Sequence, residues 1–226
     1  YKNLWKPTGQ HTVRMVPFKH DPQWPFLELF FHYEVTEYPT ISPISFDEPD
    51  PISEFCNLLE KNGGSDRDMA YKLKPKMRTY VPVIVRGEED QGIKFWGMGK
   101  TIATQLMNIC ADPDYGSIED PTNGRDIKVN YIPPTTPGDF RTAKTDIIIR
   151  PVTSPMIDPN SEHYAVVMDS LKNTPAVEDI WPKPSYDELK QALEAYLEAK
   201  DNADNQTQDG TANTTSAPQS KKQQLE

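Results

Sequence analysis

A small, mainly β barrel followed by C-terminal helices and a polar tail is the architecture this sequence predicts. Three observations lead there. Short alternating apolar runs recur through residues 10–157, a single helical pattern interrupts them, and two more helical patterns follow. The chain holds 22 prolines against 11 glycines, which argues against a largely helical architecture. From Asp201 onward the residues are polar and without an aromatic, so that stretch cannot bury enough to fold and is expected as a disordered tail. The 226 residues are enough for one or two domains.

The strands are expected in order. His11–Phe18 comes first, then Phe26–Val35, bounded by Pro25 and Pro39. Thr79–Arg86 and Ile93–Lys100 form a hairpin around residues 87–92, and Asp126–Ile132 and Thr145–Val152 close the set. Between the hairpin and the last two strands, Ile102, Leu106 and Ile109 give Thr101–Ala111 a helical stripe. Five to seven short strands with one such helix suggest a small Greek-key barrel. An OB-fold is a natural candidate, although periodicity alone does not choose it over another small barrel.

Beyond the barrel, Ser161–Lys172 is expected as a short helix with Tyr164, Val167, Met168 and Leu171 inward. Ser185-Tyr186-Asp187-Glu188 is a capping-box pattern, opening a helix to about Lys200 with Leu189, Leu193, Tyr196 and Leu197 on one stripe. The expected organisation is a core over residues 1–157, a helical segment over 158–200 and a tail over 201–226.

Charge is unevenly spread. There are 24 Lys and Arg against 34 Asp and Glu, a net of −10. Residues 158–226 hold 6 cations and 13 anions, which leaves the first 157 residues near balance at −3. No apolar run approaches the ~18–20 residues of a membrane span, and no basic-then-apolar leader is present. Cys56 and Cys110 are too few for a disulfide framework. A soluble, intracellular protein is expected, and Tyr1 in place of Met leads one to expect that the natural N-terminus lies upstream.

Side-chain alternation gives the hairpin two faces. Val81, Val83 and Val85 share the face expected to meet the core. The opposite parity holds Arg78, Tyr80, Pro82, Ile84 and Arg86, and in the second strand Lys94, Trp96, Met98 and Lys100 are expected to point outward with them. Just upstream, Tyr71-Lys72-Leu73-Lys74-Pro75-Lys76-Met77-Arg78 carries four cations in eight residues and no acid. Cations at alternate positions can track a phosphate backbone, and Tyr71, Tyr80 and Trp96 offer flat surfaces for bases; together they suit sequence-tolerant single-strand binding. The plainer reading is ordinary solubilisation by exposed lysines, with the aromatic rings covering a core edge.

A family resemblance enters at these residues. Leu4-Trp5-Lys6-Pro7, Thr12 through His20, Phe31-His32-Tyr33-Glu34, the Tyr71–Tyr80 segment and Lys94 through Lys100 together resemble the core domain of single-stranded-DNA-binding proteins of T-even-type bacteriophages, especially their marine relatives. The similarity covers roughly residues 4–155. It implies an OB-fold that binds single strands in a basic, aromatic-lined cleft during phage DNA replication, recombination and repair, in the cytoplasm of the infected host. By position, Tyr71, Tyr80 and Trp96 match the family's aromatic binding residues. Lys72, Lys74, Lys76 and Arg78 match its basic ones, with Lys94 and Lys100 beside them. Phe140, Arg141 and Lys144 resemble a later aromatic-basic element. Val81 stands where the family often has a further aromatic.

The family also commonly carries a structural zinc on one His and three Cys. Here Ser42, Asp50 and Ser53 occupy the cysteine positions, leaving His32 and Cys56 nearby. Serine is a poor substitute for thiolate, so no zinc and no other cofactor is expected. The loop is expected to be held by Ile44, Phe46, Ile52, Phe55, Leu58 and Leu59, the last four on a short helix.

Other chemistries are weaker. His11, His20, His32 and His163 are scattered, the acids at 47–50 and 112–114 lie in proline-rich turns, and Gly97-Met98-Gly99-Lys100-Thr101 lacks the upstream glycine of a phosphate loop. No nucleophile and base stand together, so no enzyme activity is expected. The reading is a sequence-non-specific single-stranded-DNA-binding protein, without a membrane partner, whose tail is either a spacer or, as in the family, a contact for replication and recombination proteins. An RNA-binding OB-fold protein and a viral protein-interaction module are the alternatives.

Overall fold

All six runs expected as strands form strands in the structure, a computed structural model that describes residues 3–21, 24–136 and 142–208, the last five of these as backbone only. In chain order the first elements are β1 (Leu4–Trp5), β2 (Gln10–Met15), β3 (Leu27–His32), β4 (Thr40–Ile41), α1 (Pro51–Asn62) and α2 (Gly64–Leu73). Next come β5 (Lys76–Val85), β6 (Lys94–Met98), α3 (Lys100–Ala111), β7 (Gly124–Ile132) and β8 (Lys144–Ser154). The chain then forms α4 (Tyr164–Lys172), α5 (Val177–Ile180) and α6 (Tyr186–Gln208).

Helix reaches about 38% and strand 27%, more helix than the proline count suggested. Prolines sit where helices tolerate them. Pro51 occupies the first turn of α1, where its missing N–H would have no partner in any case. The chain divides into two compact units, Tyr1–Leu29 with Met77–Ile180, and Phe30–Lys76 with Trp181–Glu226. These units cut across the linear divisions at residues 157 and 200.

The first unit is built on a mixed sheet in the order β1-β6-β5-β2-β7-β8. The β1–β6 pair is parallel and the others are antiparallel. Among the described residues β1 and β8 end the order without pairing to each other, so the sheet is open and the expected barrel closure is not seen. One face meets α3, with Val13, Met15, Val81, Val83, Val85, Ile127 and Val129 closing over Ala103 and Leu106.

The other face is covered in its middle. Ile84 and Val16 lie beneath Met156, Ile157 and Val167 of the segment that follows β8. Arg14 fastens that cover: buried, it donates Nε to Asp126 at 2.9 Å and Nη1 to the Ser154 carbonyl at 2.8 Å. Arg86 adds two bonds to Asp126 and one to the Met156 carbonyl. In α4, Val167 is buried and Met168 and Leu171 pack inward as expected, but Tyr164 faces solvent at 36% exposure.

The second unit is mainly helical. Ile52, Phe55, Cys56 and Leu59 of α1, Met69, Ala70 and Leu73 of α2, and Leu189, Leu193 and Leu197 of α6 form one core. α1 is longer than the short helix expected, and Leu58, expected inward, faces solvent. Here β3 and β4 pair through Phe31–Ile41 and His32–Thr40. The capping box of α6 forms as expected, with the Ser185 N–H donating to Glu188 Oε2 at 2.7 Å and the Glu188 N–H to Ser185 Oγ at 3.2 Å. The helix does not stop near Lys200 but continues to Gln208, so residues 201–208 of the expected tail are helical. Extending an established helix adds one hydrogen bond per residue fixed, and Ala and Gln oppose that little. Residues 209–226 lie outside the described residues. Among the described residues, no helix is long and apolar enough to cross a membrane.

Candidate nucleic-acid interface

The hairpin register decides which predicted residues share a surface. β5 pairs β6 with Val81 opposite Trp96, Tyr80 opposite Gly97 and Pro82 opposite Phe95. Directly paired residues lie on one face of a sheet. Trp96 therefore shares the face of Val81, Val83 and Val85, which is the core face, and it is 1% exposed. Its ring stands edge-on to Trp5 at 5.8 Å. The expectation that Trp96 points outward is overturned, and the cause is specific. Odd residues of β5 pair with even residues of β6, so the side chains alternate within each strand but the even residues of β6 join the core face rather than the outer one.

Lys94 moves with it. It is 9% exposed and its ammonium pairs with Glu88, so it is a buried structural cation rather than a member of an outer row.

What remains on the outer face of the first unit is smaller and better defined. Tyr80 is partly exposed and lies over Gly97: a Cβ at that glycine would come within 2.6 Å of the tyrosine ring. Glycine without a side chain opposite an aromatic lets the ring lie flat on the strand. Arg78, two residues earlier on the same face, is exposed, and its Nη1 stands 3.5 Å from where a Gly99 side chain would begin. Gly99 is also the N-cap of α3 and supplies no side-chain cap, while Lys100 opens the helix and is exposed. The Arg78 guanidinium and the positive end of α3 thus meet at Gly99, two residues along the strand from the ring-bearing Gly97. Lys144 is exposed at the start of β8. Phe140 and Arg141 lie outside the described residues.

The second unit holds the other candidates. Tyr71 and Lys72 sit in the last turn of α2, which was not foreseen in the sequence. Tyr71 is 75% exposed, and Lys76 at the start of β5 donates Nζ to the Tyr71 carbonyl at 2.7 Å with its ammonium 4.5 Å from the ring centre. Lys72 is exposed as well. Lys74 forms an ion pair with Glu60 at 2.6 Å, so part of its charge is already answered. The basic octet is therefore a helix end, a connector and a strand start, not one alternating row.

His32, Ser42, Asp50 and Ser53 are joined in a hydrogen-bonded cluster centred on Asp50. Asp50 caps α1 by accepting from the Ile52 and Ser53 N–H groups at 2.9 and 3.0 Å through Oδ1. Its Oδ2 takes His32 Nε2 at 2.7 Å and the Ser42 hydroxyl. His32 and Ser42 are fully buried and Asp50 nearly so. Burial alone would raise the Asp50 pKa, but the bonds from His32, Ser42 and the Ser53 N–H outweigh it and hold the carboxyl below its ordinary value. The Cys56 thiol is pushed up to about 11, first by burial. One imidazole, one carboxylate and two hydroxyls, beside a thiol that resists ionisation, do not fit a structural zinc centre.

Trp24, not singled out in the sequence, is 48% exposed in the first unit, with Phe26 5.1 Å from its ring. Its placement beside Pro25, outside any alternating run, left no periodic signal. No family model and no curated protein matches the chain.

Proposed function

We propose that this chain binds single-stranded DNA without sequence preference and acts as a binding protein rather than an enzyme. The observation that carries the reading is Tyr80 lying across Gly97 with Arg78 and the start of α3 beside it. A flat aromatic ring accepts any base by stacking, and cationic groups within reach of it suit the adjoining phosphates, which is how sequence-tolerant single-strand binding works. Tyr71, Lys72 and Lys76 supply a second aromatic and cationic group in the other unit.

The order β6-β5-β2-β7-β8, with α3 between β6 and β7, supports an OB-like arrangement left open at its ends. The resemblance of the quoted segments to T-even-type phage proteins supports a role in replication, recombination and repair inside an infected bacterium, without a bound metal. The C-terminal residues are the proposed contact for other replication proteins.

Binding of labelled oligo-dT by fluorescence anisotropy tests the reading. Tyr80→Ala should weaken binding by about 1–3 kcal/mol, and by similar amounts for oligo-dA and oligo-dC. Trp96→Phe, which changes only the core, should leave affinity unchanged. Equal affinity for wild type and Tyr80→Ala would remove the ring from the site, and stronger competition by matched RNA than by DNA would favour an RNA-binding protein instead.

A further inference from the structure

β8 ends the strand order of the first unit and, among the described residues, pairs only with β7. The direction of its unpaired backbone groups follows from the ladders. The Arg86 N–H donates to the Thr12 carbonyl and the Tyr131 N–H to the Gly9 carbonyl, so even residues of β2 address β5 and odd residues of β7 address β2. Even residues of β7 then address β8, making Lys128–Ile148 and Asn130–Asp146 the hydrogen-bonded pairs. The backbone groups of Thr145, Ile147 and Ile149 are left facing outward. Along the same strand Lys144, Asp146, Ile148, Arg150 and Val152 are exposed, Ile148 at 63% and Val152 at 73%.

We propose that β8 is a self-pairing edge, joining two copies of the chain antiparallel about a two-fold axis at Ile148. In that register Ile147 and Ile149 exchange backbone hydrogen bonds between copies, and Ile148 lies against its own copy. Asp146 faces Arg150, twice by symmetry. Other registers of the same parity lose this match. Centring one residue earlier sets Lys144 against Arg150, two earlier sets Asp146 against itself, and two later sets Arg150 against itself. The pattern is therefore complementary to a second copy of itself.

The edge is also bounded. Pro151 has no N–H, and its carbonyl already accepts from Arg125. The pairing is short and closes on itself, giving a reversible dimer rather than a fibre.

Sedimentation equilibrium of the full chain without nucleic acid tests this. A monomer–dimer equilibrium is expected. Asp146→Arg and Arg150→Asp, each placing like charges face to face twice, should each raise the dissociation constant about tenfold or more. Ile148→Lys should do the same, and the double reversal D146R/R150D should restore the wild-type constant. All three substituted positions are exposed, and an unchanged urea midpoint establishes that each of the four variants folds. A chain monomeric up to about 1 mM, a dimer indifferent to the single reversals, or a double reversal that fails to restore it would each overturn the proposal.

Discussion

Gly97 and Tyr80 work as a pair. The glycine gives the tyrosine a flat bed, and any side chain there collides with the ring at 2.6 Å. Gly97→Ala should therefore tilt Tyr80 off the strand and weaken oligo-dT binding by up to ~1–3 kcal/mol, the value of one stacked base. The chain should stay folded, because the obstructing atom belongs to a partly exposed side chain that can swing away. Anisotropy and circular dichroism on the same variant check both halves. Asp50 gives a second prediction. Its pKa is lowered on folding, so it stabilises the fold above the unfolded carboxylate value of about 4, and that contribution is lost as pH falls through the lower folded value. Asp50→Asn should lose about 1–3 kcal/mol at neutral pH and show a flatter decline in urea midpoint between neutral and acid pH than wild type. A variant with an unchanged acid limb would show that another carboxylate governs it.

Elements were legible where one face of the chain meets water and another meets a core. Alternation gave β2, β5, β7 and β8, and the stripe Leu189, Leu193, Leu197 with Ser185 and Glu188 gave the start of α6. Ser185→Ala removes the hydroxyl that caps Glu188 N and should cost about 1 kcal/mol in the urea midpoint. α2 was hidden because Gly64–Leu73 is polar, with only Met69, Ala70 and Leu73 buried. The outward placement of Trp96 failed for a different reason. β6 is buried on both faces, Phe95 on one and Trp96 on the other, so it carries no alternation to read. Its partner register could be known only from the pairing itself, and a slip of one residue exchanges the faces of a strand. Trp96 left the candidate site with that slip, while Tyr80 and Arg78 stayed.

At the scale of the whole molecule, charge makes the proposed function depend on ionic strength. The chain is net −10, so its attraction for a polyanion must come from local cations. Of the candidates in described residues, Lys74 and Lys94 form ion pairs with Glu60 and Glu88, Lys76 is exposed while donating to the Tyr71 carbonyl, and Lys72, Arg78, Lys100 and Lys144 are exposed. About four to five phosphate contacts correspond to a slope near −3 in log affinity against log salt for a single strand, at roughly −0.7 per contact. The most direct test is a filter-binding titration of the full chain with oligo-dT and with a duplex of equal length, each at two salt concentrations. Tighter binding of the single strand is expected at both, falling with salt at about that slope. Equal binding of the duplex, or no binding of oligo-dT at low salt, would contradict it.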